Sequence, residues 1–82
     1  MDATTRAVYR LARSSHTTRD RNDRETYRQA LLALTSDQQR QVMAALAARW
    51  ELNNTAYEGK SEQVRAEARE ALARHELACA EA

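Results

Sequence analysis

The amino-acid sequence predicts an all-α fold, a small bundle of three to four helices formed by residues 1–82 as a single domain. Seventeen Ala, twelve Arg, eight Leu and eight Glu favour helix, whereas Pro is absent and Gly59 is the only glycine. Ile and Phe are absent and Val occurs three times, so the residues that build sheets are scarce. Apolar residues recur three and four positions apart along most of the chain, which is the period of an α-helix.

The first predicted helix covers residues 2–13. Ala7, Val8 and Leu11 lie at helical spacing, so this helix is expected to be short and amphipathic. Residues 14–18 are polar and show no periodicity, which predicts a connection to the next helix.

The second predicted helix begins near Asn22 and ends at Leu34. The Asn22 side chain can accept a hydrogen bond from the amide three residues on, and Glu25 can reach back to complete a capping box. The turn that follows is short, so the second and third helices are expected to be close neighbours.

The third helix, about residues 36–58, is predicted to be the central element, because its middle is apolar on all sides. Thr35 or Ser36 can cap its first amides, with Gln38 or Gln39 at the reciprocal position. The predicted inner stripe consists of Val42, Leu46 and Trp50.

The end of the third helix has two interpretations. Asn53 and Asn54 can terminate it, or it can continue through Tyr57, with Gly59 as the left-handed residue after the last turn. The longer helix is preferred because Asn53 and Tyr57 extend the stripe of Leu46 and Trp50.

The fourth helix, about residues 61–80, is predicted to return antiparallel along the third and to have two weakly apolar faces. The inner face consists of Val64, Ala68, Ala71, Leu72, His75 and Cys79. The opposite face is the candidate for self-association and consists of Ala66, Ala73, Leu77 and Ala80. The alternative is that this second face is solvated, because exposed alanine is common. A solvated acidic face is expected from Glu62, Glu67, Glu70 and Glu76.

The predicted interior is thin, because the chain has only seventeen large apolar side chains, those of Leu, Val, Met, Tyr and Trp. Each stabilises the fold by roughly 1.5 to 3 kcal/mol when fully buried. Ordering the chain costs about 1.5 kcal/mol per residue. The fold is therefore expected to depend either on self-association into a homo-oligomer or on a protein partner.

Location and source are inferred from composition. The longest apolar run, residues 42–48, is too short to cross a membrane, and Cys79 is the only cysteine, so a cytoplasmic protein is expected. The abundance of Arg and Ala resembles the codon usage of a GC-rich bacterium.

Charge is uneven along the chain. Residues 1–50 hold nine Arg and five acidic residues, whereas residues 51–82 hold four basic and seven acidic residues. A candidate partner-binding basic surface consists of Arg6, Arg10, Arg13, Arg19, Arg21, Arg24 and Arg28. The arginine fork suits an acidic protein surface or a nucleic-acid backbone, and a solvated, salt-bridged surface is the alternative. The sequence pI near 8.0 favours the acidic protein over nucleic acid.

A helix-turn-helix is the second functional hypothesis. Gln38, Gln39 and Arg40 open the third helix after a tight turn, and Gln and Arg can contact bases in the major groove. Residues 30–50, ALLALTSDQQRQVMAALAARW, resemble the first helices of sigma-factor region four, in which a leucine-rich helix end, a capped turn and an arginine recur. The resemblance stops before the DNA-reading turn of that family and carries no function over.

Catalytic and metal sites have little support in the sequence. His75 and Cys79 lie one helical turn apart and supply only half of a zinc site. No phosphate loop or nucleophile motif is present, so the chain is expected to be neither an enzyme nor a cofactor-binding protein. By elimination, the sequence predicts a protein-protein interaction module that acts as an adaptor, a regulator, or a phage-type or plasmid-type inhibitor of a larger bacterial complex.

Overall fold

The computed structural model describes residues 1–17 and 21–80, and these residues form four α-helices. They are α1 (Ala3–Thr17), α2 (Arg21–Leu32), α3 (Ser36–Glu58) and α4 (Glu62–Ala80). No strand occurs in the described residues, so the predicted all-α bundle is confirmed. Across the same residues, none of the helices has both the length and the apolar content that spanning a bilayer requires.

α3 and α4 form the most extensive helix pair of the bundle and run antiparallel. Near the turn, Arg65 Nη1 of α4 donates to Gly59 O at 2.7 Å. Far from the turn, His75 Nε2 lies 3.0 Å from Ala45 O in the first half of α3. The predicted pairing of these two helices is therefore confirmed.

α1 contacts all three other helices and is the most deeply buried of the four. Its buried residues are Thr5, Val8, Tyr9, Ala12 and Ser15. α1 runs in the same direction as α3, because Asp2 contacts Gln38 at one end while Arg13 and Arg49 both contact Glu76 at the other. α1 is therefore covered on more sides than α3, whose long outer face stays in solvent.

α2 packs mainly on α1 and contacts α3 through a few side chains, so the expectation that α2 and α3 are close neighbours holds only at these contacts. The two helices meet near their connecting turn, where Gln39 Nε2 donates to Leu31 O at 3.0 Å. Tyr27 Oη also lies 3.9 Å from Met43 Sδ. The length of the turn sets where α3 starts, and the apolar side of α1 sets where α2 lies.

Two helix boundaries differ from the prediction at the first connection. α1 continues through Thr17, because Ser14 Oγ donates to Arg10 O at 3.2 Å and Ser15 Oγ donates to Ala12 O at 2.8 Å. Both hydroxyls donate hydrogen bonds to carbonyls of their own helix, so these residues are compatible with a continuous helix. α2 begins at Arg21, so Asn22 lies inside the helix and is not its cap.

The ends of α2 and α3 are fixed by local hydrogen bonds and close contacts. α2 ends at Leu32, two residues earlier than predicted, and Thr35 caps α3 in a capping box with Gln38. α3 continues to Glu58, as the longer interpretation predicts. Gly59 is not left-handed, however, since its φ is −58° and its ψ is 147°.

Gly59 is needed because two helices approach each other closely there. A Cβ at this position would lie 2.7 Å from Thr55 O and 3.1 Å from Val64 Cγ1. The Thr55 carbonyl is backbone and cannot move aside cheaply. Glycine is therefore required here for the tight passage from α3 into α4. It is not required for a positive φ.

The interior is small, as the sequence predicts. Of the seventeen large apolar side chains, only Val8, Tyr9 and Val42 are buried. The other buried apolar residues are Ala12, Ala56, Ala68 and Cys79. Small side chains let the helices come close together but remove little apolar area from water.

An ion-pair cluster supplements this small interior. Glu76 of α4 accepts from Arg49 Nε of α3 at 2.7 Å and from Arg13 Nη1 of α1. The Glu76 side chain is only 26% exposed, so these contacts are partly shielded from water. Glu76 was predicted to lie on a solvated face, and that prediction is wrong because α1 and α3 both present an arginine to it.

We expect Glu76→Gln to lower the free energy of unfolding by about 2 kcal/mol, because it leaves two partly buried guanidinium groups without their shared anion. Urea denaturation followed by circular dichroism measures the change. Glu62→Gln is the matched control, since Glu62 also contacts two arginines but its side chain is 70% exposed. Its loss should stay below about 1 kcal/mol. Equal losses in the two variants would contradict the role assigned to Glu76.

Asp2 links the start of α1 to the start of α3. Its carboxylate accepts from the Thr5 amide at 2.7 Å and from Gln38 Nε2 at 3.1 Å. Contact with the side chain and amide of Thr5, and then with Gln38, lowers the pKa of Asp2 from 3.8 to about 2. The charged carboxylate therefore stabilises the folded chain above the higher of these pH values, and this contribution disappears as the pH falls towards the lower one.

We expect the melting temperature of the wild-type chain to fall more steeply than that of Asp2→Asn between pH 3.8 and about 2. Asparagine keeps a capping side chain but has no proton to gain, so the comparison isolates the titration of Asp2. Thermal unfolding of both proteins across this range measures the difference. Parallel curves would show that Asp2 makes no such contribution.

Candidate protein-interaction surfaces

The outer face of α3 carries an apolar stripe that is open to solvent. Met43, Trp50 and Tyr57 are 53%, 67% and 79% exposed. They lie seven residues apart, so they follow one another along a single face of the helix. We call these three residues the α3 stripe.

The α3 stripe corrects the predicted inner stripe. Val42 is fully buried and Leu46 is half-buried, but Trp50 is exposed. Because a helix has 3.6 residues per turn, each step of four residues overshoots a full turn by about 40°. Two such steps from Val42 carry Trp50 out of the interior. The inner face instead follows steps of seven, from Val42 through Arg49 to Ala56.

The outer face of α4 is the predicted self-association face, and it is less apolar than the α3 stripe. Ala73 and Leu77 are exposed, and Ala66 is half-buried. The side chain of Ala80 lies outside the described part of the chain. Leu77 is the only large apolar side chain of this face, so the face offers little area to a partner.

The predicted basic surface divides into an exposed part and an inward part. Arg21, Arg24 and Arg28 are exposed and share one face of α2, with Arg28 Nε lying 3.4 Å from Glu25 Oε2. Arg10 of α1 is also exposed. Arg19 lies outside the described residues.

Two arginines of α1 point away from a free basic surface. Arg13 binds Glu76 in the interior cluster, and its Nε is buried. Arg6 is half-buried, with its Nε also buried. Among the arginines of the predicted basic surface, the exposed ones in the described residues therefore lie on α2 and at Arg10.

The residues of the helix-turn-helix hypothesis all have partners within the chain. Gln38 bonds to Thr35 and Asp2. Gln39 donates to Leu31 O, and Arg40 pairs with Asp37. The start of α3 thus contacts α1 through Gln38 and α2 through Gln39.

His75 and Cys79 lie in a buried polar cluster with Tyr9. Cys79 Sγ is 3.8 Å from His75 Nε2, and the rings of Tyr9 and His75 meet edge to face with centroids 6.3 Å apart. Burial, and then the charge of Glu76, raises the pKa of both the Cys79 thiol and the Tyr9 phenol. Both groups therefore stay protonated and weakly nucleophilic at neutral pH.

The same cluster lacks the ligands of a metal site. The described residues contain no group of three or more His, Cys, Asp and Glu arranged to hold a metal ion. His75 Nε2 is instead oriented by Ala45 O, a carbonyl that can only accept a hydrogen bond. The arrangement positions α4 against α3 and α1.

The α3 stripe was missed by the sequence analysis, although a signal for it is present. Met43, Trp50 and Tyr57 keep a strict seven-residue spacing, and Val42, Arg49 and Ala56 keep the same spacing on a neighbouring face about 100° away. Two such sets on one helix indicate two contact faces, of which a small bundle can cover only one.

Comparison with known proteins assigns no function to this chain, so a functional assignment has to rest on the geometry of these surfaces. No protein-family model, curated protein sequence or solved structure matches this chain.

Proposed function

We propose that this chain is a non-enzymatic protein-protein interaction module that acts by occupying the surface of another polypeptide through the α3 stripe. The observation that carries the proposal is the exposure of Trp50 and Tyr57 in line with Met43 on one face of α3. Exposed aromatic and Met side chains grouped in this way are typical of binding surfaces.

The balance between buried and exposed side chains supports the proposal. Seven large apolar side chains are exposed, whereas three are buried. The free energy of a chain with this distribution falls when a second surface covers part of the exposed apolar set. An adaptor, a regulator or an inhibitor of a larger complex would all use such a surface.

The charge on α2 supports an acidic surface on a protein partner. Arg21, Arg24 and Arg28 are exposed at a spacing that keeps their guanidinium groups on one side of α2. These fixed positive charges favour association with carboxylate-rich surfaces and make it sensitive to salt. DNA binding remains the second hypothesis, with no contact of Gln38, Gln39 or Arg40 that favours it.

We expect the immobilised wild-type chain to retain a specific protein from an extract of its source cells, and Trp50→Glu to lose that protein. A buried glutamate would place an unpaired charge at the centre of the contact. Quantitative mass spectrometry of the retained proteins measures the difference.

Leu77→Glu on the outer face of α4 is the matched control and should retain the same protein as the wild type. Circular dichroism of the wild type and of the two variants checks that they are equally helical. Retention that does not distinguish Trp50→Glu from the wild type would remove the α3 stripe from the proposed function. Salt-sensitive binding of duplex DNA that is lost when Gln38, Gln39 and Arg40 are replaced together would favour DNA instead.

A further inference from the structure

We infer that the α3 stripe binds a second copy of this chain, with the two α3 helices antiparallel about a two-fold axis that passes beside Trp50. This inference rests on the proposed function and names the occupant of its surface.

The stripe is symmetric about its central residue. Met43 lies seven residues before Trp50, and Tyr57 lies seven residues after it. In an antiparallel pair centred on Trp50, each Met43 therefore meets Tyr57 of the other copy, and the two Trp50 side chains meet at the axis. Tyr27, beside Met43, extends this contact, because its Oη lies 3.9 Å from Met43 Sδ.

The charges on one flank of the stripe favour the antiparallel direction. Arg40 and Glu58 are both exposed and lie on the same flank, at ten residues before and eight residues after Trp50. In an antiparallel pair the same flanks of the two helices face each other, so Arg40 of each copy lies opposite Glu58 of the other. In a parallel pair this flank would face the neutral flank of Leu46 and Asn53. Arg40 also pairs with Asp37, and its guanidinium has donors for both carboxylates.

The exposed area suits a weak but specific dimer. An aromatic side chain offers roughly 150 to 250 Å². Trp50 and Tyr57 are 67% and 79% exposed, so together they supply on the order of 300 Å² in each copy. Two copies, with Met43 and the small Ala47 adding to the aromatic area, approach the roughly 1,000 Å² that a specific interface needs. The small size of Ala47 lets the two helices come close together.

One feature of the flank opposes the pair and provides a test of its direction. Glu51 is exposed and follows Trp50 directly, so the antiparallel arrangement brings the two Glu51 side chains together near the axis. Like charges at this position weaken the dimer. In the parallel arrangement the two Glu51 side chains would lie on opposite sides of the interface.

The first experiment is sedimentation equilibrium of the purified full chain from micromolar to near-millimolar concentration. A reversible monomer-dimer equilibrium is expected for the wild type and for the control Leu77→Glu. Trp50→Glu should weaken the dimer by at least about a hundredfold, because it places two charges at the axis. A wild-type chain that stays monomeric throughout overturns the inference. A dimer lost in Leu77→Glu but kept in Trp50→Glu also overturns it, in favour of the α4 face.

The second experiment tests the direction of the pair by exchanging charges. Arg40→Glu and Glu58→Arg should each raise the dissociation constant about tenfold, and the double variant should return to near the wild-type value. Glu51→Gln should strengthen the dimer. Additive losses in the double variant, or no strengthening by Glu51→Gln, would overturn the antiparallel arrangement. Circular dichroism of each variant confirms equal helix content.

The two proposals fail in different ways. If the purified chain is monomeric but retains another protein through Trp50, the second copy is wrong and the interaction module stands. If the chain is a dimer through Trp50 and retains no further protein, the second copy is the occupant of the stripe. If neither contact depends on Trp50, both proposals fail.

Discussion

The Glu76 carboxylate lies between the guanidinium groups of Arg13 and Arg49, so one anion on α4 holds both α1 and α3 in place. The bundle depends on this contact because the apolar interior beside it contains few large side chains. Buried alanines bring the helices close, but they specify little about how each helix is rotated. Charged partners at fixed positions supply that orientation, and His75 adds to it through its bond to Ala45 O.

The same shortage of interior explains the outer surface. α1 takes the central position, with five buried residues on one helix. α3 needs only the side that carries Val42 and Ala56 to contact α1 and α4. The remaining side of α3 is therefore available to solvent or to a partner along most of its length.

The sequence predicted those features that depend on local chemistry. The four helices, the capping box of Thr35 and Gln38, the extension of α3 to Glu58 and the antiparallel return of α4 all follow from composition, spacing and hydrogen-bonding side chains. The predictions that were wrong concern features that depend on distant residues. Whether Trp50 faces inward is decided by which turn of α3 meets α1, and whether Glu76 is solvated is decided by arginines 63 and 27 positions away. The seven-residue spacing of Met43, Trp50 and Tyr57 indicates a face of its own but not which face is buried, and no local pattern contains the ion pairs of Glu76.

The connection at Gly59 has a consequence for the order in which the chain assembles. Only three residues separate α3 from α4, so these helices can associate as a hairpin soon after both exist, with little loss of chain entropy. α1 is synthesised first, yet the groups that hold it, Glu76 and His75, belong to the last helix. During synthesis α1 can therefore pair only with α2 at first, and the side of α1 that faces α3 and α4 stays available to chaperones until the hairpin closes over it.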